Sequence, residues 1–358
     1  MNRRQFLGTT AAAAALASGA GFLGAARPAE AAIGTVGAWR RVEVTFTASP
    51  KWGAGAGKLW LPAPMDTPYQ RVLGVTWGQG PDRIGLNYDP IYRAPAISAE
   101  WGAGKARDVQ VTYVIETIDR QLNLKSLPPR SGGLPDDVRV FLTATPTMPV
   151  DGIVKESAMK IVKGAHHPVE KARAIYDWIV ENTFRDPKTK GCGIGDIKYM
   201  LESGNLGGKC ADINSLFVGL SRAAGIPARE MFGVRTADST TFKSLGRSGD
   251  ISKAQHCRAE FYAAGLGWVP VDPADVRKAV LEENLALGDP KIVALCQKLF
   301  GAWEMNWMGF NVARDFRLPP GGSTPINFFM YPEAEAAGVE LDGTDPDSFA
   351  YKIVAKPV

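Results

Sequence analysis

In the stretch GGKCADINSLFVGLSRAAGIPAR, residues 207–229, one thiol, Cys210, stands between a glycine pair and a strongly patterned apolar segment. Ile213, Leu216, Phe217, Leu220 and Ala224 recur at three- and four-residue steps, the spacing of one helical face, and Gly225 followed by Pro227 marks the end. The helix therefore begins near Cys210. Its first turn holds unpaired N–H groups and the positive end of the helix dipole, both of which favour thiolate over thiol. A thiolate so placed is a nucleophile that needs a proton carrier.

His256, one of only three histidines, heads a run in which Arg258, Glu260 and Tyr262 would share its strand face. The partner strand is WVPVD, and a three-residue loop of Ala263, Ala264 and Gly265 would set Tyr262 opposite Leu266 and hence His256 opposite Asp272. Opposed Cβ atoms lie about 5 Å apart, within reach of an imidazole–carboxylate hydrogen bond. Cysteine, histidine and aspartate then form a nucleophilic unit: the thiolate attacks a carbonyl, the imidazole moves protons, and the carboxylate fixes the ring's tautomer. The Cys210 N–H is a natural oxyanion donor, with Asn205 as the second candidate beside its bland reading as a turn residue in SGNLGG.

Gly208, Cys210 and Asp212, the run from Arg222 to Arg229, His256 to Phe261, and Gly267 to Pro273 resemble the motifs of the transglutaminase-like superfamily. The tight match spans about 65 residues, and looser likeness to exported bacterial members extends over LWLPAPMDTPYQRV and FGAWEMNWMGFNVARD. The resemblance implies an α+β, papain-like core with a cysteine helix packed on an antiparallel sheet. It also implies Cys210 as nucleophile, His256 as base and Asp272 as orienter. Arg258 stands where many members carry an aromatic residue, which bears on specificity more than on catalysis. The implied work is acyl transfer from an amide through a Cys210 thioester, hydrolytic in preference to amine-accepting cross-linking, on a peptide, protein or peptidoglycan-type amide. A non-catalytic binding module is the rival from another class. No cofactor follows; no calcium loop is recognisable and no metal site is expected.

Other residues have blander readings. Asp212 suits the cap and dipole of the helix, and His166 and His167 sit beside the start of a second helix at Pro168. Cys257 points away from His256 and belongs to the core, as do Trp268, Trp303 and Trp307. SGNLGGKC lacks the residues of a phosphate loop.

Upstream, the opening MNRRQFLGTT, an Ala/Gly-rich run and an Ala-x-Ala site predict an export signal of residues 1–31, of twin-arginine type, and a periplasmic or secreted product. Its removal takes three arginines and one glutamate from a chain of net charge +4, leaving +2. That balance argues against a nucleic-acid partner, and no other stretch would span a membrane. Four cysteines are too few for a disulfide scaffold and lack metal spacing; if two pair, two stay free. Short Val/Thr/aromatic runs predict a sandwich-like β domain over 32–148. The catalytic core follows over 149–287, with residues 288–358 completing it and INFFMY and FAYKIVA as strands.

Overall fold

The computed structural model describes residues 34–49, 55–104, 108–124 and 133–358. The expected signal and its cleavage site lie outside them. Alternation of apolar and polar residues makes strand Thr35–Ala48 bury Val42, Val44, Phe46 and Ala48 on one face. That strand pairs antiparallel with Val109–Gln121, Phe46 opposite Val111, and with Tyr351–Pro357, Phe46 opposite Ile353. A second sheet is built around Gly57–Pro62 and Pro95–Trp101. Leu59, Leu61, Ile97 and Ala99 of the second sheet share one core with Val44, Phe46, Val111 and Tyr113 of the first. The strand-rich N-terminal region is thus sandwich-like, as its patterning implies.

The α+β core has a four-stranded antiparallel sheet in the order Gly267–Val271, Arg258–Ala263, Ala228–Arg235, Trp307–Asn311. Helix Cys210–Ala223 packs on it through Phe217, whose ring centroid lies 6.4 Å from that of Phe261. The helix ends as its sequence dictates, with Gly225 at φ +84°. It is more deeply set than one apolar stripe requires: all fourteen residues are buried, because Gly152–Ile161 and Pro168–Asn182 cover the side away from the sheet. Its polar residues, apart from the Ser221 hydroxyl, are accordingly bonded. Ser215 donates to Glu230 at 2.7 Å, and Arg222 donates to the carbonyls of Ala228 and Thr143.

The described residues form one compact unit. Of the C-terminal stretch, only Trp307–Asn311 enters the core sheet. Glu333–Ala336 pairs with Gly57–Pro62, and Tyr351–Pro357 pairs with Thr35–Ala48, so the tail chiefly covers open edges of the N-terminal sheets. INFFMY is not a strand beyond Ile326. Its apolar residues thread between two cores, Phe329 into one and Phe328, Met330 and Tyr331 into the other, which leaves no ladder for the backbone to join. Among the described residues, no helix is long and apolar enough to cross a membrane.

Candidate active site

Cys210 is the first residue of its helix, and Asp212 holds that start in place. One carboxylate oxygen of Asp212 accepts the Lys209 N–H at 2.9 Å; the other accepts those of Ile194 and Gly195, both at 2.9 Å. The Ala211 N–H reaches back to the Cys192 carbonyl at 2.9 Å, so the 192–195 segment is strapped across the helix N-terminus. The strap requires glycine. A Cβ on Gly208 would lie 2.4 Å from Asp212 Oδ2, and one on Gly193, at φ +97°, would lie 1.8 Å from it. The spacing of Gly208, Cys210 and Asp212 is therefore a packing requirement of the helix start.

His256 and Asp272 meet as expected, with Nε2 and Oδ2 2.7 Å apart and both side chains buried. The register behind that contact differs from the expected one. Tyr262 pairs with Trp268 and Ala263 with Gly267, so the loop is Ala264–Leu266 and every partner moves by two. A two-residue shift keeps each side chain on its face. Asp272 therefore stays on the face of His256, one step along the strand, and lies across from Arg258, whose Nε is 3.6 Å from Asp272 Oδ2. Backbone anchors fix both residues. The Trp307 indole donates to the His256 carbonyl at 2.8 Å, and the Trp303 indole donates to the Val271 carbonyl at 3.1 Å. The tryptophans are core residues, as expected, and they also hold the ends of the two strands that carry the pair.

Asp272 does double duty. Its Oδ1 caps helix Pro273–Glu282 by accepting the Asp275 N–H at 3.1 Å, leaving Oδ2 for the imidazole. Asn214, one helical turn after Cys210, donates to Asp272 Oδ1 at 3.2 Å and to the Cys257 carbonyl at 2.8 Å. Sequence reasoning missed Asn214, although an asparagine in the midst of an apolar helix face was a usable signal. Asp275 was missed too, and it lies 3.4 Å from His256 Nε2 and 2.5 Å from Arg235.

These charges shape the titration. Burial alone would lower the His256 pKa, but Asp275 and Asp272 outweigh it and hold the ring above the ordinary histidine value. At Cys210, the neighbouring groups Cys192, Cys257 and His256 hold the pKa well below the ordinary thiol value against burial, while the Cys192 thiol itself donates to the Gln255 carbonyl at 3.3 Å. The same contact with Cys210 raises Cys192, and burial followed by that contact raises Cys257. Cys257 is buried in the core as expected, yet its thiol abuts Cys210, which strand alternation did not foretell. All four cysteines are free thiols.

Donor atoms of His256, Asp272 and Asp275 lie within 4.8 Å of one another, close enough to share a metal ion. Arg235 and Arg258 already supply the balancing positive charge there, so the donor set fits an ion-pair network better than a cation site. Asn205 is not brought to the thiol. It is exposed, its Oδ1 accepts the Gly207 N–H at 3.1 Å, and it is absent from the residues lining the cleft over Cys210, which is the geometry of the turn residue. His166 and His167 are exposed at a helix start, their N–H groups bonded to Glu170. Cys210 and His256 face a cleft of about 910 Å³, which Cys192 and Tyr331 also line.

Residues 155–273 match the profile of the transglutaminase-like superfamily. A relative from Haemophilus influenzae, named only as an uncharacterized protein, is 43% identical over 324 residues, 86% of this chain and 88% of its own. The fold resembles that of a provisionally named cysteine protease from Cytophaga hutchinsonii, with a TM-score of 0.55 at 14% identity over 89% of this chain and 99% of that one. The periplasmic domain of TgpA from Pseudomonas aeruginosa, bound to ethylmercury, aligns with a TM-score of 0.37 at 16% identity, over 66% of this chain and 74% of that one. The chain belongs to one family with the Haemophilus influenzae protein, and its helix-on-sheet core is a transglutaminase-like superfamily domain.

Proposed function

We propose that the protein is an exported thiol hydrolase that cleaves an amide through a thioester on Cys210. The observation that carries this reading is that Cys210 and His256 line one cleft, with the His256 ring held by Asp272 at 2.7 Å between Nε2 and Oδ2. With Nε2 held by the carboxylate, Nδ1 is the nitrogen left to serve the thiol. The thiolate attacks the amide carbon, and the first-turn N–H of Cys210 faces the developing oxyanion. Nδ1–H then protonates the leaving amine, giving a thioester and neutral imidazole. Water, deprotonated by Nδ1, attacks the thioester and releases the acid, restoring thiolate and imidazolium. Asp272 stays ionised throughout and fixes the ring.

Export is supported by Arg3, Arg4 and the Ala-x-Ala site before Ala32. The test is covalent labelling with a peptide vinyl sulfone that mimics the scissile amide. Cys210 should be modified in the native chain, Cys210→Ala should take no label, and peptide turnover should yield a free acid even when a labelled amine is present. Modification confined to Cys192, Cys257 or Cys296 would overturn the assignment of the nucleophile, and incorporation of the amine in place of water would overturn hydrolysis.

A further inference from the structure

The cleft over Cys210 is far more basic than the chain that forms it. Over the whole sequence 41 lysines and arginines face 37 aspartates and glutamates, whereas eight cations and three carboxylates line the cleft. The cations arrive from separate segments. Arg185 comes from the short strand after helix Pro168–Asn182, Lys209 from the residue before the thiol, Lys243 and Arg247 from the loop after strand Ala228–Arg235, and Lys278 from helix Pro273–Glu282.

Three of these charges are matched one to one: Lys190 pairs with Asp342, Arg235 with Asp275 at 2.5 Å and Lys253 with Asp347 at 2.8 Å. Arg185 and Lys278 share one carboxylate, Glu282, at 3.0 and 3.7 Å. Among the described residues, Lys209, Lys243 and Arg247 take part in no ion pair; Arg247 Nε donates only to the Asp250 carbonyl, at 3.1 Å. The crowding has a cost in the free protein: burial and the neighbouring Arg235 and Arg185 lower the Lys278 pKa from its ordinary value. The loop bearing Lys243 and Arg247 is held in place, with the Leu245 carbonyl bonded by Arg235 and by Asn306 Nδ2 at 3.1 Å, and the Ser244 N–H bonded to Glu283 at 2.8 Å. Fixed, unpaired cations around one concave surface focus the field into it and attract an anion.

We propose that the substrate is an acidic peptide, whose carboxylates on either side of the cleaved amide are held by Lys209, Lys243 and Arg247, with Arg185 and Lys278 sharing a further one. This rests on Cys210 as the reactive thiol only for the position of the cleaved bond. The binding itself makes no use of the sulfur.

The experiment therefore measures binding without turnover. Full-length Cys210→Ala and, in parallel, Cys210→Ser are titrated with a short fluorescein-labelled peptide carrying glutamates at alternate positions, and with its glutamine counterpart. The acidic peptide should bind at least about tenfold more tightly at low ionic strength, and most of that advantage should vanish near 1 M salt, where the screening length falls to about 3 Å. The exposed substitutions Lys243→Glu and Arg247→Glu together should reverse the preference. Equal binding of the two peptides, or no binding of either, overturns the proposal, as does an RNA oligonucleotide of matched charge that displaces the acidic peptide on equal terms. Loss of vinyl sulfone labelling at Cys210 would defeat the hydrolase reading and leave this result standing; the converse outcome is equally separable.

Discussion

The four cysteines differ in their surroundings more than in their exposure. Cys192 and Cys257 carry raised pKa values, and burial raises Cys296, while Cys210 alone is lowered. Cys210 should therefore be alkylated first by a small neutral electrophile. The sign of its pH dependence follows from the two directions: the thiolate persists below the ordinary thiol pKa of about 8.5, and the imidazolium persists above the ordinary histidine value of about 6.5. Alkylation should thus persist well below the ordinary thiol pKa of about 8.5; a tenfold fall per pH unit from that value downward would show an ordinary thiol. Both apparent values belong to the coupled pair. At Asp272 the expected result is equally specific. An asparagine amide would donate to Nε2, drive the ring proton to Nδ1 and remove the acceptor that the thiol needs. Asp272→Asn should lower kcat about 10²- to 10⁴-fold with little change in the folded structure, because its carbonyl oxygen can still cap helix Pro273–Glu282. Unchanged turnover in that variant would return Asp272 to a purely capping role.

Position at the level of elements comes from how a helix start and a hairpin end are pinned. The two hairpin strands could slide by two residues without moving His256 and Asp272 to opposite faces, and the observed register is such a shift from the simplest loop. Asp272 gains a second fixing point by opening helix Pro273–Glu282, so the final side-chain geometry depends on a cap as well as on a ladder. The cysteine helix depends on glycine. Gly208→Ala would drive a methyl group into Asp212, 2.5 Å from its Cβ, and the shift would loosen the Lys209, Ile194 and Gly195 bonds together. The expected outcome is a loss of about 1–3 kcal/mol in denaturant melts, together with slower alkylation of Cys210. Wild-type stability and alkylation in Gly208→Ala would show that the strap does not set the thiol.

On the scale of the whole molecule, one buried guanidinium joins segments that are far apart in sequence. Arg314 donates to Glu230 at 2.8 Å, to Ser215 Oγ at 2.9 Å, to the Gly195 carbonyl at 2.8 Å and to Thr147 Oγ1 at 2.9 Å, and is 1% exposed. It thereby ties the C-terminal stretch to the cysteine helix, the core sheet, the strap over the thiol and the entry to the core. Arg314→Met would strand the Glu230 carboxylate in the interior and should cost about 3–5 kcal/mol, read as a lower midpoint in urea. The double variant Arg314→Met/Glu230→Gln should recover part of that loss. A single variant as stable as the native chain would show that the four segments are held by apolar packing alone.

Local pattern alone determined the cysteine helix with its glycine end, the strand Ala228–Arg235, the helix from Pro168 and the alternating strands of the N-terminal region. Each rests on a period of 3.6 or 2 and on stop residues, signals that act within a few positions. The facing of His256 and Asp272 was legible too, because a period of two tolerates the register shift that the loop introduced. Tertiary structure alone decided the rest. Asn214 reaches Asp272 from one helix, Asp275 reaches the imidazole from a second and Arg235 reaches Asp275 from a neighbouring strand, and no spacing in the sequence encodes that convergence. Cys257 met Cys210 because the cysteine helix packs against it, Asn214 donating to the Cys257 carbonyl at 2.8 Å, a contact between elements that alternation within one strand does not encode. INFFMY gave up its ladder to fill two cores, and the last strand, Tyr351–Pro357, crossed the chain's full length to close the edge of the first, Thr35–Ala48. Contacts of this kind are chosen by the shape left over once the local elements have packed, a quantity that exists only in three dimensions.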